Sequence, residues 1–305
     1  MRIIPEPELA PRTTLGLGGQ ALAEVNLERP EDTEGLSKLL ELEGGRPLAL
    51  GRGSNLLFLD GRLELVLVRS RLESLEIVRE KREELLLRAS SGLRLPALQK
   101  LLLKNGFSGL EGLVGVPASL GGAVAMNAGA FGQDLGQILH RVQIWSQEKG
   151  LLWLDGKDLE LGYRRFQPLV GKGFWILLQA EIWLQKRNRK QVRALMQANY
   201  ARKKANQPLL AKTCGCVFRN PANGPAAGYL LQRCGLKGYT LGGLGFSKQH
   251  ANFLVNLGGG NSQQALELIQ LAKERVKSTF QLDLELELCI PGRGSKSVAS
   301  AGQHK

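Results

Sequence analysis

GRGSN at residues 51–55 sets two glycines around an arginine and ends in two short side chains that can donate hydrogen bonds. Gly51 and Gly53 let successive backbone N–H groups converge on one spot, beside the Arg52 charge. Ser54 and Asn55 add donors, and such a nest suits a phosphate. A tight turn accounts for these five residues equally well. The spacing is not the dinucleotide fingerprint, and no acidic residue follows at the matching distance, so a Rossmann site is disfavoured. VGVPASLGGAVAMNAGAFG at 114–132 asks for more. Pro117 fixes one dihedral, Gly121 and Gly122 permit contact-distance approach, and Ser119 and Asn127 supply donors among small apolar residues. A flat or extended anionic cofactor laid against backbone explains this combination better than a surface loop. Close packing of two backbone segments is the competing account.

Two other groups of residues invite chemistry less clearly. Cys214, Cys216, Cys234 and Cys289 lack the C-x₂-C pairs of zinc sites, so no metal is expected. Asp283, Glu285 and Glu287 alternate with leucines in QLDLELELCI, a pattern that usually marks only the wet face of a strand. His250, alone in SKQHANF, reads as a hydrogen-bonded structural group.

These residues need elements to position them. ALAEVNL (21–27), a helix within 31–45 and RPLAL (46–50) form a βαβ unit that runs directly into GRGSN. Strands follow over 63–70, 73–80 and 83–90, then a leucine-rich helix over 95–106 stopped by Gly106. Further strands are expected at 138–147, 150–155 and 174–185, and a basic helix at 186–204. A helix over 262–280 carries Ala265, Ile269, Ala272, Val276 and Phe280 on one stripe, with Asn261 and Gln264 at capping-box spacing. The alternation of 281–290 predicts a final strand. Helices mixed with meandering strands argue for an α+β architecture.

Composition sets outer bounds. The 305 residues are 43% apolar and 23% charged, ordinary for a folded chain. Glycine is in surplus: 38 residues, against roughly 21 from average usage. Nine of them fall between 106 and 136. No apolar run reaches the roughly 18 residues of a membrane span, and the N-terminus lacks an apolar signal core. Sparse cysteine fits a reducing, cytoplasmic setting. The net charge of +13 is local: residues 186–204 hold eight Lys and Arg with no acid, and 293–305 hold three more. The basic helix is the basis of a rival reading as a nucleic-acid binder, but it offers one aromatic, Tyr200, and no binding signature.

The motifs together resemble the UDP-N-acetylenolpyruvoylglucosamine reductase family. GRGSNLL and GLEGLVGVPASLGGAVAMNAGAFG are joined in collinear order by TLGLGGQA (14–21), YRR (163–165), CGCVFRNP (214–221), AGYLLQRCGLKG (227–238), FSKQHANFLVN (246–256) and LELELCIPG (284–292). The resemblance covers about residues 10–292 and is closer to the shorter subtype, without a tyrosine-bearing lid. It implies a two-part FAD-binding domain of the PCMH or vanillyl-alcohol-oxidase-like type, 1–68 and 69–204, completed by about 283–292. A smaller α+β substrate domain would occupy 205–282 and a disordered tail 293–305. It also implies a monomeric cytoplasmic enzyme of peptidoglycan precursor synthesis. NADPH would give a hydride to FAD, and the flavin N5 would pass it to the β-carbon of UDP-N-acetylglucosamine enolpyruvate. Another FAD-dependent oxidoreductase of the same fold is the nearer alternative.

The same resemblance implies the site residues. Gly51, Arg52, Gly53, Ser54, Asn55, Gly115, Val116, Pro117, Ser119, Gly121, Gly122 and Asn127 would hold FAD. Tyr163, Lys204, Arg219, Asn220 and Gln232 would contact substrate. Arg164 would hold the developing carboxylate dianion, and Glu287 would assist the enol intermediate or the protonation step. Cys216 stands where the family usually has a serine proton donor, and a thiol is far more acidic than an alcohol. Thr13, Phe166 and Cys289 also depart from the family pattern; Cys289 replaces a common basic residue.

Overall fold

The computed structural model describes residues 1–292; the expected tail at 293–305 lies outside them. Three units of structure follow one another along the chain. The first is a four-stranded sheet with spatial order Arg2–Pro5, Gln20–Leu27, Arg62–Ser70, Arg46–Ala49. Gln20–Leu27 and Arg46–Ala49 both run parallel to Arg62–Ser70, which lies between them. The helix Leu36–Glu43 links them, starting and ending on Gly35 and Gly44 at positive φ.

The second unit is an antiparallel sheet ordered Gly150–Asp155, Leu139–Ser146, Trp175–Lys186, Glu84–Ser90, Leu75–Glu80. Ala23, Val25, Val66 and Val68 of the first sheet pack on Trp145, Phe174, Ile176 and Leu178 of the second, which joins the two units through a shared apolar layer. The opposite side of the second sheet is covered by Leu95–Asn105 and the short helix Leu120–Ala125. Gly106, with φ +74, ends the former helix as expected from its sequence. The hairpin Leu159–Gly162/Arg165–Pro168 is attached to this unit, and Phe166 is buried against Trp175 at 5.8 Å.

Helix Arg189–Asn206 leads into the third unit, a four-stranded sheet ordered Lys212–Cys216, Phe253–Asn256, Leu244–Phe246, Thr240–Leu241. Ser262–Phe280 packs on it through Ala265, Leu268, Ile269, Ala272 and Val276, with the Asn261–Gln264 capping box formed.

The expected strand over 281–290 is not a member of any sheet. The segment is extended, and Leu284, Leu288 and Ile290 are buried while Asp283 and Glu285 are exposed, so the alternation is real. Its backbone pairs singly with two different segments, at Phe218–Leu286 and at Leu56–Cys289, which prevents a continuous ladder. The last ten described residues therefore stitch the third unit to the loop after Arg46–Ala49.

Candidate active site

That stitch brings distant residues together. Glu287 N donates to Val217 O at 2.9 Å, and Arg219 N donates to Glu285 O at 2.9 Å, so the C-terminal segment lies alongside the end of Lys212–Cys216. On its other side, Cys289 N donates to Asn55 O at 3.1 Å, and Asn55 Nδ2 donates to Glu287 O at 3.0 Å. Asn55 thus ties the GRGSN loop to the carboxylate-bearing backbone.

Arg164 reaches this point from the turn of the Leu159–Gly162/Arg165–Pro168 hairpin, where it holds a φ of +53. A non-glycine residue in that region is uncommon and is found where neighbouring contacts fix it. Its Nε donates to Glu287 Oε1 at 2.9 Å, and its terminal nitrogen donates to Gly129 O at 3.0 Å. The guanidinium also lies 5.0 Å from the Tyr163 ring centroid. Two of the three guanidinium nitrogens are therefore anchored. The carboxylate and guanidinium are partly buried, at 14% and 22% exposure, a setting in which charge interacts more strongly than in water.

Cys216 stands next to this pair. Burial first, and then the Glu287 carboxylate, push its thiol up to about 12, while Arg164 acts in the opposite direction. Cys289 is similarly pushed up, to about 11, chiefly by burial. Both sulfurs are neutral thiols at pH 7. Cys214 is fully buried in the third unit's core, and among the described residues no group of His, Cys, Asp or Glu is arranged to hold a metal ion. His250 accepts from Asn252 N at 3.2 Å and meets Phe253 edge-on, as a turn-fixing group.

A cleft of about 1000 Å³, counting its open mouth, runs between the first two units; Arg164, Cys216 and Glu287 do not line it, but Asn55, which donates to the Glu287 carbonyl, does. Gly51, Arg52, Gly53, Ser54, Asn55, Ser119, Gly121 and Gly122 line it, together with Ser70, Ser91, Met126 and Cys289. The glycines serve different ends. A Cβ on Gly53 would sit 2.2 Å from Arg12 O, and one on Gly121 would sit 2.7 Å from Ser91 Cβ, so protein packing requires them. On Gly122 a Cβ would meet only Ser119 Oγ, at 3.4 Å, so this glycine leaves backbone bare to the cleft. Gly115, Val116, Pro117 and Asn127 are not among the lining residues. Asn127 is buried and spends both ends of its amide on backbone, donating to Gly162 O and accepting from Gly136 N.

The cleft suits an elongated group with polar oxygens. Ser70 and Ser91 carry buried hydroxyls with no hydrogen-bond partner, and both line it. Among the described residues, the backbone N–H groups of 51–54 donate to no protein acceptor. Unused donors of this kind call for a ligand that can accept from them.

Comparison with known proteins settles what this architecture is. Residues 23–153 match a family described as an FAD binding domain, and residues 207–291 match the UDP-N-acetylenolpyruvoylglucosamine reductase C-terminal domain. The reductase of Nitratidesulfovibrio vulgaris is 44% identical over 95% of this chain and 98% of its own. The chain belongs to the UDP-N-acetylenolpyruvoylglucosamine reductase family. Reductase 1 of Bacillus cereus is 37% identical over 96% of this chain and 95% of its own. The crystal structure of the Thermus caldophilus reductase superposes with a TM-score of 0.80 at 31% identity, over 95% of this chain and 99% of that one. The protein is accordingly an FAD-dependent oxidoreductase of α+β class, and the donors left unused in the cleft fit the cofactor.

The remaining sequence candidates are spread around the third unit. Arg219 Nε is buried without a partner. Asn220 is exposed and caps Ala227 N at 3.0 Å, and Gln232 is exposed on Ala227–Arg233. Lys204 is exposed, its backbone carbonyl accepting from Gln249. Its neighbour Lys203, which motif reading passes over, is buried close to the triad. Consecutive helical residues diverge by about 100°, so one faces protein and the other solvent.

Proposed function

We propose that this enzyme reduces UDP-N-acetylglucosamine enolpyruvate to UDP-N-acetylmuramate with NADPH, in peptidoglycan precursor synthesis. The observation that carries the reading is the meeting of Arg164, Glu287 and Cys216 beside Asn55, a cleft-lining residue that donates to the Glu287 carbonyl. When bound, FAD supplies a two-electron carrier that accepts a hydride from NADPH and returns it to the substrate β-carbon. Residues 51–55 and 119–122 would receive it, with Ser70 and Ser91 as further donors. The family-implied contacts from Gly115, Val116, Pro117 and Asn127 belong to the same proposal, with Asn127 acting by fixing loops. The two-part division at 68, the substrate domain at 205–282 and completion by 283–292 are likewise part of the reading.

Hydride addition to the enol ether's β-carbon leaves an electron pair at the α-carbon, delocalised into its carboxylate. Arg164 stays charged and presents a fork, which suits that growing negative charge. Its bonds to Glu287 and Gly129 fix the orientation of the guanidinium before substrate arrives and leave its other terminal nitrogen to face the charge, so little reorganisation is needed. A proton must then reach the α-carbon. Cys216 is held as a neutral thiol by burial and by Glu287, and it gives that proton; water re-protonates the thiolate. Glu287 keeps the donor protonated before transfer and holds Arg164. The diphosphate and sugar are assigned to Tyr163, Lys204, Arg219, Asn220 and Gln232; all but Arg219 are exposed, and Arg219 has a free buried donor.

Half-reactions test this assignment. Cys216→Ala should let NADPH reduce the flavin at the wild-type rate but slow anaerobic reoxidation by substrate at least about a hundredfold, the usual scale of a lost general acid. Cys216→Ser should reoxidise appreciably. Normal turnover in the alanine variant would remove Cys216 from the role.

A further inference from the structure

Lys203 is a buried cation with no carboxylate among its described ion pairs. It is 5% exposed, and its Nζ donates to Gly112 O and Val114 O, each at 2.9 Å. Burial, and then the charge of Arg164, push the ammonium down to about 8. An unpaired buried charge is costly, and an apolar side chain of similar length would fill the same space without that cost. The expense makes sense only if the two carbonyls must be gripped.

What the grip holds can be followed outward. Gly112 N donates to Gln133 Oε1 at 3.2 Å, and a Cβ on Gly112 would lie 2.6 Å from Ala130 O, so the 112–114 loop lies flush on the hairpin Gly129–Ala130/Gln133–Asp134. At the tip of that hairpin Phe131 sits at φ +56, its ring 5.5 Å from Lys203 Nζ and 4.9 Å from the Arg202 guanidinium. Gly129, at its base, offers the carbonyl that accepts from Arg164. Asn199, one helical turn before Lys203, adds a bond to Glu111 O at 3.1 Å. We propose that Lys203 is a positioning residue: by gripping the Gly112 and Val114 carbonyls it fixes the hairpin carrying Gly129 and thereby aims the Arg164 guanidinium. A charged donor is suited to this because ionic hydrogen bonds to carbonyls are stronger than neutral ones.

The inference rests on the role given to Arg164 above, so the grip and the chemistry are read separately. In flavin-loaded protein, Lys203→Met should raise amide hydrogen exchange across 129–134 about tenfold or more, with 51–55 changed less than about twofold. Lys203→Arg should restore it. In Lys203→Met NADPH should reduce the flavin at near the wild-type rate, while reoxidation by UDP-N-acetylglucosamine enolpyruvate slows about tenfold or more. Unchanged exchange in Lys203→Met overturns the proposal, as does faster exchange with undiminished reoxidation. If Lys203→Met fails to retain flavin, Gln133→Ala cuts the same path at its next joint and is judged by the same outcomes. A wild-type enzyme that this substrate cannot reoxidise would overturn the functional reading instead, and exchange alone would then decide the grip.

Discussion

A thiol in the position usually given to an alcohol changes what can be measured at residue scale. Burial and the Glu287 carboxylate hold Cys216 in its protonated form up to about 12, so thiolate is scarce at pH 8. Alkylation by iodoacetamide at pH 8 should be slower than for an ordinary thiol, with pKa near 8.5, by roughly a thousandfold. Peptide mapping of labelled protein checks this, and labelling at the rate of a free thiol would contradict the neutral donor. The sign also fixes the pH profile. A raised folded value means the proton is retained, so reoxidation should show no falling limb from Cys216 below about pH 10. Arg164, Cys216 and Glu287 each sit in a motif, so the sequence could propose them together, and the structure places them side by side. Lys203 was not legible, since a Lys-Lys pair gives no sign of which residue turns inward until the helix has a neighbour.

Loops and helices carry the next level. Gly53 lies at φ +64 with Arg12 O where a Cβ would project, while Gly61 has a similar φ of +81 and nothing within 4 Å of its Cβ position. Gly53→Ala should therefore lose bound flavin, judged by the ratio of visible to protein absorbance. Gly61→Ala should retain it and lose only about 1 kcal/mol of stability. Equal flavin retention in both would show that the close approach at Gly53 is not what shapes the loop. At the other end of the chain, Asn261→Ala removes the side chain that caps Gln264 N and should lower stability by about 1 kcal/mol, seen as a reduced unfolding midpoint with turnover unchanged. That helix was fully legible, since stripe, cap and length agree. The 281–290 segment was legible in burial only. Alternation records which side chains are covered, and it cannot distinguish a ladder from single bridges to two unrelated segments.

At the scale of the whole molecule, three units meet where the C-terminal segment threads between the GRGSN loop and Lys212–Cys216. That segment links the cleft-lining Leu56 of the first unit, through Cys289, to Phe218 of the third, two residues after Cys216. The positive charge of the chain is distributed differently. Arg189, Lys190 and Arg193 are exposed near the start of Arg189–Asn206, away from the triad. Replacing all three with glutamine should leave turnover within about twofold, because surface charge beyond a Debye length is screened. The glycine surplus proved mixed in meaning: Gly121 answers to packing, Gly122 to the open cleft, and composition cannot separate them.

The central claim is tested most directly by one anaerobic experiment on the purified flavoprotein. NADPH should bleach the visible flavin absorbance, and UDP-N-acetylglucosamine enolpyruvate should then restore it without oxygen, yielding one UDP-N-acetylmuramate per flavin. Flavin that stays bleached with this substrate and recovers only on admitting oxygen would contradict the account.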